Sequence, residues 1–132
     1  MLMTETSPPR AQRILVVDDE PFVCEAVKLL LATDGHSVET AGSGAEALAK
    51  YDPAKFDLVI TDYAMEGMKG DELAAEIKQR APAKPIILLT AYPPEIQPAA
   101  IDLVMMKPFY FETLRAGLAE VLGLESSGSR ES

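Results

Sequence analysis

Little in this chain ties it to an oxidising compartment, a membrane or a polyanion. Cysteine is nearly absent: Cys24 stands alone among 132 residues, so no internal disulfide can form. No apolar run approaches the roughly 20 residues that cross a bilayer. The N-terminal MLMTETSPPRAQR lacks the apolar core of a secretory signal. These absences place the chain in the cytoplasm, with no membrane contact. Cations are scarce as well. Twelve Lys and Arg face 21 Asp and Glu, a net charge of −9 that repels phosphate backbones and argues against direct nucleic-acid binding by this chain. The single histidine, His36, follows Gly35 in a turn and reads as an ordinary surface residue. What is present, 48% hydrophobic and 25% charged residues, fits one globular domain with a single substantial core.

The stretch from Phe56 to Gly70, FDLVITDYAMEGMKG, organises the rest. Leu58, Val59 and Ile60 form an apolar run suited to a strand buried on both faces of a parallel sheet, which places Asp62 at its carboxyl end. Gly67 and Gly70 permit tight backbone before an amphipathic helix running to about Ala81. Upstream, Arg13 to Val17 is a second compact strand, ending at Asp18, Asp19 and Glu20. Pro21 then opens a helix with Val23, Ala26, Val27, Leu30 and Leu31 on one face, which Gly35 ends. Ser37 to Ala41 has the weak alternation of an edge strand, and Gly44 to about Tyr51 reads as a short helix. Downstream, Ile86 to Leu89 is a buried strand ending at Thr90, and Ile101 to Met106 is a last strand ending at Lys107. A final helix carries Phe111, Leu114, Leu118, Val121 and Leu122 inward until Gly123. Between the last two strands, Pro93, Pro94 and Pro98 leave room for at most a turn or two of helix. The pattern is a single α/β domain over 12–124, a doubly wound five-stranded parallel sheet with a shortened or irregular fourth helix, flanked by flexible tails at 1–11 and 125–132.

In such a sheet the crevice at the carboxyl ends of the strands is where ligands bind. Here those ends carry Asp18, Asp19, Asp62, Thr90 and Lys107. Asp62 alone could simply cap its turn. Three carboxylates at one rim either hold protons or bind a hard divalent cation, and oxygen donors of this kind describe a Mg²⁺ site. A hydroxyl and an ammonium opposite them suit a phosphoryl group, with Asp62 as nucleophile. Cys24, beside Glu25, reads as a small core residue, and Met65, Met68, Met105 and Met106 as packing.

The motifs ILVVDDEP from Ile14, DYAMEGMKGDEL from Asp62, LLTA from Leu88 and MKPF from Met106 together resemble the response-regulator receiver domain of two-component signalling. The resemblance covers residues 12–124 and implies the flavodoxin-like strand order 2-1-3-4-5. It implies that Asp62 accepts a phosphoryl group from the phosphohistidine of a sensor histidine kinase or phosphotransfer protein. Asp19 would bind Mg²⁺ directly, Asp18 directly or through water, with Asp62 and the Ala64 carbonyl completing the protein ligands. Thr90 and Lys107 would hold the phosphoryl oxygens, and the Lys107–Pro108 bond would be cis. Such a domain is a signalling protein and no enzyme beyond its own phosphorylation and dephosphorylation. It would act through a downstream protein target. The competing readings are a metal-dependent phosphohydrolase with an aspartyl-phosphate intermediate and a phosphorylation-independent scaffold.

Three departures stand out: Glu66 where the family usually has Pro, Val104 at the family's switch aromatic, and a short stretch between Thr90 and Lys107. A β-branched side chain has few rotamers to switch between, so signal output is expected to run through residues 91–100 instead. Phosphoryl capture by Thr90 is expected to order that segment, and Tyr92 to shield the phosphoryl group.

Overall fold

The computed structural model describes residues 11–123. Apart from Ala11, the expected tails, and Leu124 at the end of the expected domain, lie outside them. The elements are β1 Arg13–Val17, α1 Pro21–Thr33, β2 Ser37–Ala41, α2 Gly44–Lys50, β3 Leu58–Asp62, α3 Gly70–Arg80, β4 Ile86–Thr90, β5 Leu103–Met106 and α4 Phe111–Leu122. All five strands are parallel, in the order β2-β1-β3-β4-β5, as expected.

The sheet is covered on both faces because its central strands carry unbroken apolar runs, Leu58 to Ile60 in β3 and Ile86 to Leu89 in β4, and both strands are buried throughout. Alternate residues face opposite layers. Leu15, Val59 and Leu88 pack with Ala47 of α2 and Leu73 and Ile77 of α3. Ile14, Ile60 and Ile87 pack with Val27 and Leu31 of α1 and Leu114 and Leu118 of α4. β2 is an edge strand, half-buried and carrying the Glu39–Lys55 ion pair on the side open to water. Gly123, at φ 68°, takes the left-handed conformation that ends α4.

The fourth crossover departs furthest from a regular unit. Residues 91–102 contain no α-helix, within the expected limit of at most a turn or two, because Pro93, Pro94 and Pro98 contribute no backbone donors. β5 also begins at Leu103 rather than Ile101. The cause lies in Asp102, whose Oδ2 accepts from the Ile86 amide at 2.8 Å and from Lys78 Nζ at 2.8 Å. Its own amide donates to the Ile86 carbonyl at 2.9 Å, so a side chain and an amide together close the amino end of β4.

His36 is not on the surface. It is buried at the start of β2, where its Nδ1 accepts from the Gln12 amide at 2.9 Å, joining the approaches to β1 and β2. Burial lowers its pKa, against the pull of the Asp34 carboxylate. Cys24 is a core residue whose Sγ donates to the Asp18 carbonyl at 3.4 Å, and burial followed by the Asp18 charge raises the thiol's pKa. Met65 and Met105 are buried and Met68 packs on the core, while Met106 is half exposed.

Candidate functional site

Each chemistry-bearing residue lies where an apolar strand runs out. Asp62 is the last residue of β3 and Thr90 the last of β4; Asp18 follows β1 and Lys107 follows β5. Because the strands are parallel and in register, Asp62 pairs with Leu89, while Thr90 pairs with Met106. The Lys107 amide donates to the Thr90 carbonyl at 2.9 Å, setting the lysine beside the threonine. The Lys107–Pro108 peptide is cis.

Asp18, Asp19 and Asp62 bring carboxylate oxygens within 4.8 Å of one another. Asp18 and Asp62 are buried, and Asp19 is exposed at the rim. Lys107 Nζ meets Asp18 Oδ2 at 2.8 Å and Asp62 Oδ1 at 3.3 Å. Asp18 Oδ1 accepts from the Glu20 amide at 2.9 Å, which fixes that carboxylate from both sides. Burial, then the neighbouring Asp18 charge, pushes the Asp62 pKa above its ordinary value despite Lys107. For Lys107 itself, burial opposes the charged form, but Asp18 and then Asp62 carry its pKa above the ordinary value. One ammonium among three carboxylates leaves a deficit of positive charge.

The loop after β3 is built tightly against Asp62. The Gly70 amide donates to the Tyr63 carbonyl at 2.9 Å, and a Cβ on Gly70 would overlap the Asp62 carbonyl oxygen. Only glycine lets α3 start so close to β3. Gly67 takes φ 80° in the same loop. Ala64, two residues after Asp62, is exposed at the start of this loop. Glu66, at the position the family usually fills with Pro, uses its amide to donate to Asp19 Oδ2 at 3.4 Å, a bond that proline could not make.

Thr90 is buried, and its Oγ1 accepts from the Tyr92 amide at 3.1 Å and donates to the Tyr92 carbonyl at 3.2 Å. The Tyr92 ring stands in solvent at 83% exposure, away from the shielding position expected of it.

A feature not read from the sequence adjoins the acidic rim. Phe22, Ala26, Pro108 and Phe109 line an apolar cleft of about 470 Å³ that reaches Lys107. Phe22 is 89% exposed although it opens an amphipathic helix. The available signal was an aromatic directly after a proline on each side, Pro21–Phe22 and Pro108–Phe109.

Hard oxygen donors at this separation fit a divalent cation such as Mg²⁺, with Asp18, Asp19 and Asp62 as the side chains able to hold it.

The family model for the response regulator receiver domain matches residues 14–119. Among solved structures, the response regulator TrrA of Thermotoga maritima, in complex with Mg(2+)-BeF, is 40% identical with a TM-score of 0.78, over 84% of this chain and 99% of that one. The chemotaxis protein CheY4 of Vibrio cholerae is 33% identical with a TM-score of 0.79, over 85% and 99%. Among curated proteins, the transcriptional regulatory protein ZraR of Escherichia coli K12 is 36% identical over 83% of this chain but 26% of its own length. For GlrR of the same organism the figures are 46% identity, 60% and 18%. The chain thus spans about a quarter or less of these curated relatives.

Proposed function

Because the chain belongs to the response regulator receiver domain family, we propose that it takes a phosphoryl group onto Asp62 and passes the signal on by phosphorylation-dependent partner binding. The observation that carries this reading is Lys107 Nζ shared between Asp18 and Asp62 at the carboxyl rim. In the transfer, an Asp62 carboxylate oxygen forms a bond to phosphorus as the bond from phosphorus to the donor's imidazole nitrogen breaks. Lys107 turns from its carboxylate partners to the phosphoryl oxygens, and the Thr90 hydroxyl donates to another of them. Asp19, Asp18 and Asp62, with the Ala64 carbonyl, would hold Mg²⁺, which neutralises charge on the transferred group. The exposed apolar cleft beside Lys107 suits an apolar patch of the donor protein, so that its phosphohistidine reaches Asp62.

Receiver domains take their phosphoryl groups from histidine kinases or phosphotransfer proteins, and the family is a signalling one. In this reading the domain occupies residues 12–124 and works in the cytoplasm. No helix among the described residues is long and apolar enough to cross a membrane. The curated relatives are named transcriptional regulators, so the acidity of this chain is no ground for excluding nucleic acid from the system it serves.

Intact-mass analysis after acetyl phosphate treatment tests the assignment. One phosphoryl adduct is expected with Mg²⁺ and none without it. Asp62→Ala should abolish the adduct, and Asp19→Ala should lose most Mg²⁺ affinity, because so few protein ligands cannot spare a carboxylate. An adduct that persists in Asp62→Ala places the acceptor elsewhere. Absence of any adduct with every donor favours the scaffold reading.

A further inference from the structure

We infer that one peptide unit, between Met65 and Glu66, positions Asp19 for a cation: the Lys69 ammonium grips its carbonyl while its amide holds the Asp19 carboxylate. The inference rests on Mg²⁺ binding at the acidic rim, and it adds two positioning residues, Glu66 and Lys69, that set how firmly this chain holds the ion.

Of the three rim carboxylates, Asp19 is the least constrained. Asp18 is gripped by Lys107 and by the Glu20 amide, and Asp62 shares the same lysine. Asp19 is exposed, and the Glu66 amide at 3.4 Å is the only hydrogen bond to its side chain among the described residues. An exposed carboxylate has to be ordered before it can serve as a ligand, and that ordering weakens binding. The amide removes part of that cost. Being neutral, it takes one lone pair of Oδ2 without neutralising the carboxylate, as an ammonium would, so the charge and the other lone pairs stay open to a cation.

The same peptide is held on its other side. It is trans, so its carbonyl and its amide point in opposite directions and both can be engaged at once. The Met65 carbonyl accepts from Lys69 Nζ at 2.9 Å. A cation on the carbonyl polarises the amide and strengthens its donation to Asp19. The peptide is also kept from turning away, because the Met65 side chain is buried in the core and the Met65 amide donates to the Tyr63 carbonyl at 3.0 Å. Lys69 is fixed in turn by its own amide, which donates to Glu72 Oε1 at 2.8 Å in the first turn of α3. The influence of the lysine thus reaches Asp19 through a peptide, with no ammonium placed on the carboxylate. A proline at 66 would cut this line at its centre, since it has no amide hydrogen.

Mg²⁺ titration of the full chain, followed by its amide chemical shifts, tests the clamp. Glu66→Ala removes the exposed side chain and keeps the amide, whereas Glu66→Pro removes both. Glu66→Pro should bind Mg²⁺ about tenfold more weakly than Glu66→Ala, as expected for a group that supports a metal ligand. Lys69→Met separates the clamp from bulk charge. Deleting a cation beside an acidic rim tightens Mg²⁺ on charge alone, so weaker binding in Lys69→Met, by less than in Glu66→Pro, is the signature of a lost clamp. Because proline also restricts Met65, the Glu66 amide proton supplies a second readout: it should move upfield in Asp19→Ala and in Lys69→Met. Equal affinity in Glu66→Ala and Glu66→Pro, tighter binding in Lys69→Met, or a Glu66 amide indifferent to Asp19→Ala overturns the clamp. If Glu66→Pro fails to fold, Lys69→Met and the amide shift decide alone. A native chain whose amides ignore Mg²⁺ sinks the metal reading and the clamp together, whereas a native chain that binds Mg²⁺ with any of those outcomes sinks the clamp only.

Discussion

At the amino end of the sheet Asp57 has an arginine of its own, whereas at the carboxyl end three aspartates share one lysine. Arg13 donates to both Asp57 oxygens, through Nη2 at 2.9 Å and Nε at 3.2 Å, and that hydrogen bonding holds the Asp57 pKa below its ordinary value. Asp102 has Lys78 at 2.8 Å, and Lys84 Nζ donates to the Phe56 carbonyl at 2.6 Å. Opposite them, Lys107 divides itself between Asp18 and Asp62, Asp19 has a weak amide contact, and Asp62 is pushed toward its neutral form. The same residue types therefore serve fold stability at one end and hold unbalanced charge at the other. Unbalanced charge costs stability and persists where a ligand or a reaction uses it.

Glycine substitutions at the two ends break the comparison most severely. Gly70→Ala forces a Cβ into the Asp62 carbonyl and to 2.9 Å from the Tyr63 Cα, both backbone atoms that cannot swing aside. We expect a loss of about 3 kcal/mol in urea unfolding and a parallel loss of Asp62 labelling. Gly35→Ala, between α1 and β2, meets open space and pays only for its φ of 88°, so about 1 kcal/mol should be lost with labelling intact. Equal losses at the two positions would remove the case for Gly70 as the residue that seats Asp62.

Charge deletions come next. Lys107→Ala leaves buried Asp18 without its cation and should cost about 2–3 kcal/mol, even though Lys107 is proposed to hold the phosphoryl group. Asp62→Asn should act in the opposite direction, raising the unfolding free energy by about 1 kcal/mol by relieving the crowding with Asp18. Arg13→Ala, removing an exposed ion pair, should have less effect than either, with the loss shrinking as salt is added. Denaturant titration of the three variants decides the matter. A destabilised Asp62→Asn would show that the carboxyl end is as well balanced as the amino end.

Much of this was legible because a strand buried on both faces has to stop where charge begins. Val17 before Asp18, Ile60 before Asp62 and Leu89 before Thr90 therefore marked both the strands and the site. Partnerships across the sheet were not legible. Nothing local tells that Asp102 will take the Ile86 amide and delay β5, or that the Thr90 hydroxyl will spend its hydrogen on Tyr92. The cleft beside Lys107 was missed because Phe22 and Phe109 are 87 positions apart and meet only once α1 crosses the sheet. His36 was misread for the same reason. A histidine after a glycine looks solvated until the Gln12 amide arrives from the preceding segment to cover it.

His36 also gives the smallest effect, a change in the slope of stability against pH at the amino end. Its Nδ1 accepts from Gln12, its Nε2 is buried without a partner among the described residues, and burial lowers its pKa in the folded chain. The facing charges are Asp34, which favours protonation, and Arg115, which neutralises Asp34 through a pair at 2.7 Å. Because the folded pKa lies below the unfolded value of about 6.5, the unfolded chain binds the proton more readily. The stabilising contribution of neutral His36 is thus complete above about pH 6.5 and is lost as the pH falls toward the folded value. Protonation would also turn Nδ1 from acceptor to donor and break the bond from Gln12. His36→Asn offers an acceptor oxygen near the same place and does not titrate. The difference in unfolding midpoint between the native chain and His36→Asn should therefore shift against the native chain as pH falls from 7.5 to 5. Taking the difference cancels the carboxyl rim, which is common to both. A difference that stays constant across that range would mean that His36 is already free to protonate in the fold, and that the amino end hides no titratable cost.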